Sequence, residues 1–292
     1  MDYMDVSVII VSWKVRDLLR NCLQSIYKET KNLNFEVFVV DNNSGDGTSE
    51  MVLNEFSQVR LITNQKNLGF AKANNSAIKK SLGSTILLLN PDVKITDNAI
   101  KKSFDFLKSR NDIGIVGCKI LNNDGSIQKS VRKFPDLVSH VIILLKLHNF
   151  INNFRSIKKY YMLDFPGNKT RQVDQVMGAF YMIRRELIDQ IGLLDGHFFV
   201  WYEEVDYCKR AIQAGWKTFF YAETFIKHSK GQSFSRLKPM SKQFILNRSM
   251  LYYFYKHHSK FDYLVILLLY PVSIFLAGVV QMLSIKKRSN NF

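Results

Sequence analysis

The chain has 292 residues, 47% of them hydrophobic and 23% charged, with a formal net charge of +16. That balance fits one large domain or two small ones with a sizeable core. Only three cysteines occur, Cys22, Cys118 and Cys208. They are scattered, which excludes a disulfide framework and points to a reducing compartment.

Taken in chain order, Val6 to Ser12 predicts a strand, with no secretory leader before it. Leu18, Leu19, Cys22, Leu23 and Ile26 follow at helical spacing. Phe35 to Val40 predicts a second strand, ending in the acid Asp41. Asp41-Asn42-Asn43-Ser44-Gly45-Asp46-Gly47-Thr48 reads as a turn that feeds a helix with Thr48 as its N-cap. Val59 to Ile62 predicts a strand, and Ala71, Ala73 and Ala77 a helix after Gly69-Phe70. Thr85 to Leu89 is another apolar strand and runs into Asn90-Pro91-Asp92. A helix is expected near 98–109 and a strand over Ile113 to Ile120.

This alternation is the pattern of βαβ units with a parallel sheet. Right-handed crossovers place the ends of the first, second and fourth strands along one edge, where open α/β sheets bind ligands. Two strand-end carboxylates, Asp41 and Asp92, therefore suggest a site that holds a nucleotide by its base and a diphosphate by a metal.

Past Gly125 the pattern changes. Lys129, Arg132 and Lys133 precede an apolar, helical stretch from Leu137 to Leu147. Strand-like Val173 to Ile183, a helix from Glu204 to Ala214 and a strand from Trp216 to Tyr221, leading to His228, complete this part. Residues 224–261 carry eight Lys/Arg and no acid. Such a segment suits nucleic acid, an anionic bilayer or a pyrophosphate-bearing lipid. Zinc-finger spacing, a helix-turn-helix and RNA-binding aromatic motifs are all missing, and the adjoining apolar run favours the membrane. That run, Tyr263 to Ile285, has 23 residues without a charge and holds Pro271 and Gly278. It is long enough to span about 30 Å of hydrocarbon. With basic residues at both ends (Lys256 and Lys260, then Lys286 to Arg288), two half-helices bent at Pro271 and dipping into one leaflet satisfy the positive-inside rule; a buried helical hairpin is the alternative.

Six blocks carry a resemblance: Val6 to Trp13; Val39 to Thr48; Asn67 to Asn75; Asn90-Pro91-Asp92; Gly178-Ala179-Phe180; and Tyr202-Glu203-Glu204-Val205-Asp206 with His228. In this order they resemble family 2 glycosyltransferases, inverting enzymes of the GT-A fold, and in the Asn-Pro-Asp form the bacterial rhamnosyltransferase-like branch. The resemblance implies an α/β fold of GT-A type: a Rossmann-like, mostly parallel nucleotide-binding sheet, an acceptor-binding half and a C-terminal apolar helical segment. Residues 1–235 are then the catalytic domain, with 1–120 binding nucleotide sugar and 121–235 the acceptor, and 236–292 a basic, apolar, membrane-associating region. The implied activity is transfer of a sugar, rhamnose being one option, from a nucleotide-diphosphate sugar to a lipid-linked saccharide in cell-surface polysaccharide synthesis. Its place would be the cytoplasmic face of the cell membrane, and nucleic acid is not an expected partner. A membrane-tethered sugar- or nucleotide-binding module and a sugar-phosphate nucleotidyltransferase remain open.

Residue by residue, Asp41 is assigned to the base, with Ser12, Trp13 and Asn43 beside it; an Asx-turn residue is the alternative for Asp41. Asn67, Gly69, Phe70 and Lys72 form a loop into a helix N-terminus, a place for phosphate. Asp92 is the expected ligand of Mg²⁺ or Mn²⁺, with Asn90 standing where the familiar motif has a second acid. His228 is either a second ligand or structural. Glu204 is the expected base, kept ionised by the helix it opens or raised by repulsion among Glu203, Glu204 and Asp206, with Glu203 as its neighbour or substitute. Gly178, Ala179, Asp195 and Trp201 are expected near the acceptor.

Overall fold

The computed structural model describes residues 4–149, 151, 154–229 and 239–289. The chain runs β1 (Val6–Ser12), α1 (Arg16–Glu29), β2 (Phe35–Asp41), α2 (Thr48–Glu55), β3 (Arg60–Thr63), α3 (Phe70–Ile78) and β4 (Thr85–Leu89). It continues with β5 (Val93–Ile95), α4 (Ala99–Lys108), β6 (Ile113–Leu121), β7 (Ile127–Gln128), β8 (Val131–Arg132), α5 (Leu137–Leu144) and a 3-10 turn (Leu147–Asn149). Then come α6 (Arg155–Tyr160), β9 (Arg171–Val173), β10 (Gln175–Val176), β11 (Phe180–Arg184), α7 (Arg185–Ile191), α8 (Glu203–Gln213), β12 (Lys217–His228), α9 (Pro239–His257) and α10 (Lys260–Ser289).

The main sheet has the order β3-β2-β1-β4-β11-β6-β12-β5. The first four strands are parallel to their neighbours, with Ser12 beside Asp41 at the shared edge. β11 is antiparallel to both β4 and β6, and β12 is parallel to β6. The expected halves, 1–120 and 121–235, thus share one sheet. Helices cover both faces, so alternate residues of one strand enter different cores: Val8 and Ile10 join α1, while Ile9 joins α3. This explains why the strands read as continuous apolar runs rather than alternating ones. A third cluster joins α8 to the C-terminal helices through Val205, Met250, Tyr253, Phe254 and Ile266.

The structure corrects the sequence reading in four places. Gly47, at φ 80°, is the N-cap of α2, and the Thr48 hydroxyl instead donates to Asp46 Oδ1 (2.5 Å). The short strand β5, directly after Asp92, was not expected. The stretch from Val173 to Ile183 is three strands rather than one. Pro271 lies inside one unbroken 30-residue helix rather than between two half-helices. Proline removes one backbone hydrogen bond, which a long helix tolerates where neighbouring turns hold it. The side chains of Lys286 to Arg288 and the 235/236 boundary lie outside the described residues. All three cysteines are buried and unpaired.

Candidate active site

One cavity of about 880 Å³ opens at the ligand-binding edge of the sheet. Its wall includes Trp13, Asn67, Gly69, Phe70, Asn90 and Asp92 from the first half. Gly178, Ala179, Trp201, Glu203, Glu204 and His228 come from the second. The strand-end acid and the helix-start acids, more than a hundred residues apart in sequence, share one space.

β5 accounts for the position of Asp92. It pairs antiparallel with β12, setting Val93 opposite His228, and Ser229 N donates to Asp92 O (3.0 Å). The two side chains meet beside that ladder, with His228 Nε2 3.2 Å from Asp92 Oδ1. His228 Nδ1 lies 2.7 Å from Gln128 Oε1. Gln128 Nε2 itself donates to Asn122 Oδ1 (2.7 Å), so its oxygen is the acceptor and His228 Nδ1 carries the proton. With Nδ1 committed to Gln128, Nε2 faces Asp92, buried and without a hydrogen bond. Two electron pairs at this separation require a proton or a cation between them. A histidine oriented through its other nitrogen is the arrangement of metal-ligating imidazoles. Among the described residues no three acid, histidine or cysteine side chains gather around one point. The protein thus offers two ligands, which suits Mg²⁺ or Mn²⁺ completed by phosphate oxygens and water. Asn90 adds no charge; its amide N donates to Ala179 O (3.1 Å).

Glu203 and Glu204 open α8, after Trp201 and Tyr202 in left-handed conformation at φ 64° and 72°. Non-glycine residues in that region store about 1–3 kcal/mol each and cluster at functional sites. Tyr202 is held by its hydroxyl, which donates to His140 Nε2 (3.0 Å), while His140 Nδ1–H donates to Asp136 O (2.9 Å). Burial keeps His140 neutral, its pKa lowered to about 4. Both glutamates retain a buried Oε2 without a hydrogen-bond partner. Burial raises the Glu203 pKa well above the carboxylate range, with the charge of Glu204 adding to it. Burial also raises Glu204, opposed by backbone amides and the Arg132 charge. The helix N-terminus expected to depress Glu204 is present, but desolvation exceeds it. Both carboxyls are thus raised, and the Arg132 charge favours the ionised form at Glu204.

Other predicted residues take different positions. Ser12, Asp41, Asn43, Lys72 and Asp195 do not line the cavity. The Asp41 carboxylate accepts from Ser44 N (2.9 Å) and Ser49 Oγ (2.5 Å), closing its own turn. Ser12 is fully buried, its hydroxyl without a partner, and Asn43 is exposed at φ 62°. In the 67–72 loop, Leu68 N donates to Asn42 Oδ1 (2.9 Å), Gly69 N to Asn67 Oδ1 (2.9 Å) and Phe70 N to Phe199 O (2.6 Å). Those amides are therefore occupied rather than offered to phosphate. Gly69 is required because, at φ 80°, a Cβ would collide with Phe199 O. Lys72 is exposed, with its stem against Gly196. Asp195 accepts from Tyr252 Oη (3.1 Å) and Lys256 Nζ (2.7 Å), fastening its loop to α9.

Asn42 is the residue the sequence reading passed over. Its Nδ2 donates to Asn67 Oδ1 (2.8 Å) and Gly69 O (3.2 Å), and its Oδ1 accepts from Asn64 Nδ2 (3.1 Å) as well as from Leu68. It staples the cavity loop to the end of β2. The only signal was its place beside a strand-end acid.

Comparison with solved structures defines the class. A mannosyltransferase from Pyrobaculum calidifontis, solved with GDP-Man and Mn²⁺, superposes with a TM-score of 0.58 at 15% identity. The match covers 95% of this chain and 74% of that one. The architecture is of GT-A type. A family model described as glycosyl transferase family 2 matches residues 7–192, more than half of the sequence, and the chain belongs to that family. A low-salt glycan biosynthesis hexosyltransferase of Haloferax volcanii is 28% identical over 211 residues, covering 71% of this chain and 61% of that protein. An N-acetylglucosaminyl-diphospho-decaprenol L-rhamnosyltransferase of Mycobacterium tuberculosis is 26% identical over 215 residues, 68% of each chain. The chain thus spans about three fifths of the Haloferax relative's length and about two thirds of the mycobacterial one.

Proposed function

We propose that the chain transfers a sugar, with inversion, from a nucleotide-diphosphate sugar to a saccharide carried on a lipid diphosphate, at the cytoplasmic face of a membrane. The observation that carries this reading is the shared cavity: the Asp92–His228 pair, with its orphaned Nε2, and the Glu203–Glu204 pair line one space. The mycobacterial relative, named for transfer of rhamnose to a decaprenol-linked sugar, supports a deoxyhexose donor and a polyprenyl-diphosphate acceptor. The exposed apolar side chains of α10, among them Leu268 (74% exposed) and Phe275 (70%), support contact with lipid.

Asp92 and His228 would hold Mg²⁺ or Mn²⁺, which when bound supplies charge compensation for a departing diphosphate. Asn90 brings no charge, so the donor's phosphate oxygens complete the ligand set. Glu204, ionised, takes the proton of the acceptor hydroxyl while that oxygen bonds to the anomeric carbon and the nucleoside diphosphate leaves with the bonding pair. Glu203, kept neutral by burial, does not compete for the proton. Burial raises the basicity of Glu204 and keeps bulk water from the reacting carbon.

The test is a transfer assay with the full chain, a panel of nucleotide sugars, Mn²⁺ or Mg²⁺ and polyprenyl-diphosphate-linked saccharides, read by mass spectrometry. A lipid product heavier by one sugar residue is expected. Nucleotide-sugar binding without product would instead favour a non-catalytic module, and formation of nucleotide sugar from a sugar phosphate a nucleotidyltransferase.

A further inference from the structure

The cavity contains a cation that the donor chemistry does not use. Arg132 ends β8, which pairs only with β10 in a two-stranded ribbon outside the main sheet, opposite Gln175. Its guanidinium lies 5.2 Å from the Tyr161 ring centroid and 5.9 Å from that of Tyr160. Among the described residues it makes no ion pair with a carboxylate. It also donates to the Tyr160 hydroxyl and its charge reaches Glu204; the rings thus hold in the cavity a planar guanidinium whose remaining donors can take phosphate bidentately. A second cavity cation, Lys242 of α9, is also without an ion pair among the described residues. The wall they share with Ile143 of α5 and with Ile245, Leu246 and Met250 of α9 is apolar. α9 in turn packs against α10, whose outer side chains are exposed and apolar.

Cations next to an apolar wall fit an amphiphile with a phosphorylated head. The donor's diphosphate is already assigned to Asp92, just before β5, and His228, at the end of β12, whereas Arg132 belongs to the ribbon beside Glu204. We infer that Arg132, assisted by Lys242, binds the diphosphate of an isoprenoid acceptor, with the α5–α9 wall receiving the first isoprene units. This assignment rests on the transferase reading for its biological meaning, but its binding test is independent of catalysis.

The experiment titrates the full chain with farnesyl diphosphate, inorganic pyrophosphate and farnesol in the presence of a chelator. Separately, it titrates UDP, dTDP and GDP with Mn²⁺. The wild type should bind farnesyl diphosphate without metal and more tightly than farnesol. Arg132→Ala should weaken it tenfold or more and Arg132→Lys by less, both leaving nucleotide–Mn²⁺ binding within twofold of wild type. Failure of the wild type to bind farnesyl diphosphate, equal affinity for farnesol, or an Arg132→Ala variant that binds farnesyl diphosphate like wild type would each overturn the inference. Parallel loss of nucleotide–Mn²⁺ binding would overturn it too, by assigning the guanidinium to the donor. Should the Arg132 variants not fold, competition on the wild type decides: pyrophosphate must displace farnesyl diphosphate under chelation, and the nucleotides must not. Wild-type protein that binds farnesyl diphosphate but no nucleotide would count against the transferase reading and leave the Arg132 assignment standing.

Discussion

Glu203 and Glu204 occupy adjacent positions on one helix turn, yet burial divides their work. Both are raised by burial, and the Arg132 charge acts on Glu204, which favours ionisation there. Glu204→Gln should lower turnover by about 100-fold or more, the loss typical of a removed general base, while donor binding persists. Because the folded Glu204 pKa is raised, the acid limb of kcat should lie above the ordinary glutamate value of about 4.3, activity growing as pH rises through it. Glu203→Gln reproduces the neutral neighbour in shape and charge, so that limb should stay in place; a clear shift in a pH–rate profile would show Glu203 to be ionised in the working enzyme. The place of Asp92 was legible because charge at the end of an apolar run is unusual, and those of Glu203, Glu204 and His228 through the motif blocks they belong to. Asn42 and the bound state of the Asp41 carboxylate were not. An uncharged amide gives no chemical signal, and whether a turn acid faces inward or closes its own turn depends on Ser44 and Ser49.

On the scale of elements, α8 is held by α9. Asp206, fully buried two residues after Glu204, meets Arg210 Nε (2.9 Å), Lys256 Nζ (2.7 Å) and His257 Nε2 (2.7 Å). Lys256 also reaches Asp195 (2.7 Å), so one lysine ties α8 and the 195 loop to α9. Burial opposes ionisation of Asp206, but hydrogen bonds from His257 and Lys256 and the charge of Arg210 outweigh it and lower its pKa. A depressed folded value contributes stability that is present above the unfolded pKa and lost as pH falls through the folded one. Asp206→Asn should therefore cost about 3 kcal/mol in denaturant unfolding at neutral pH, with the difference from wild type shrinking in acid. Strand and helix positions in the first 120 residues followed from apolar periodicity. β5 did not, because three residues form no periodic pattern and its partner, β12, lies 130 residues on.

For the whole molecule, the sheet puts the site at one edge, α9 forms part of its wall, and α10 carries exposed apolar side chains. Lys260–Met282 is long and apolar enough to cross a membrane. The sequence carried this segment by composition alone, and an unbroken helix through Pro271 could not be read from it. Binding to anionic vesicles, measured by sedimentation, should fall about tenfold or more when Leu268 and Phe275 are both replaced by serine, since each change withdraws about 2 kcal/mol of apolar burial. Unchanged sedimentation would place the lipid contact elsewhere.

The central claim is that two acid-bearing pairs in one cavity divide the work, Asp92 with His228 on the donor and Glu204 on the acceptor. Calorimetric titration of nucleotide with Mn²⁺ into wild type, Asp92→Asn and Glu204→Gln, paired with transfer assays, tests it directly. The account predicts that Asp92→Asn loses metal-dependent nucleotide binding, whereas Glu204→Gln binds like wild type and barely transfers. An Asp92→Asn protein that binds metal and nucleotide normally, or a Glu204→Gln protein that turns over at the wild-type rate, would contradict it.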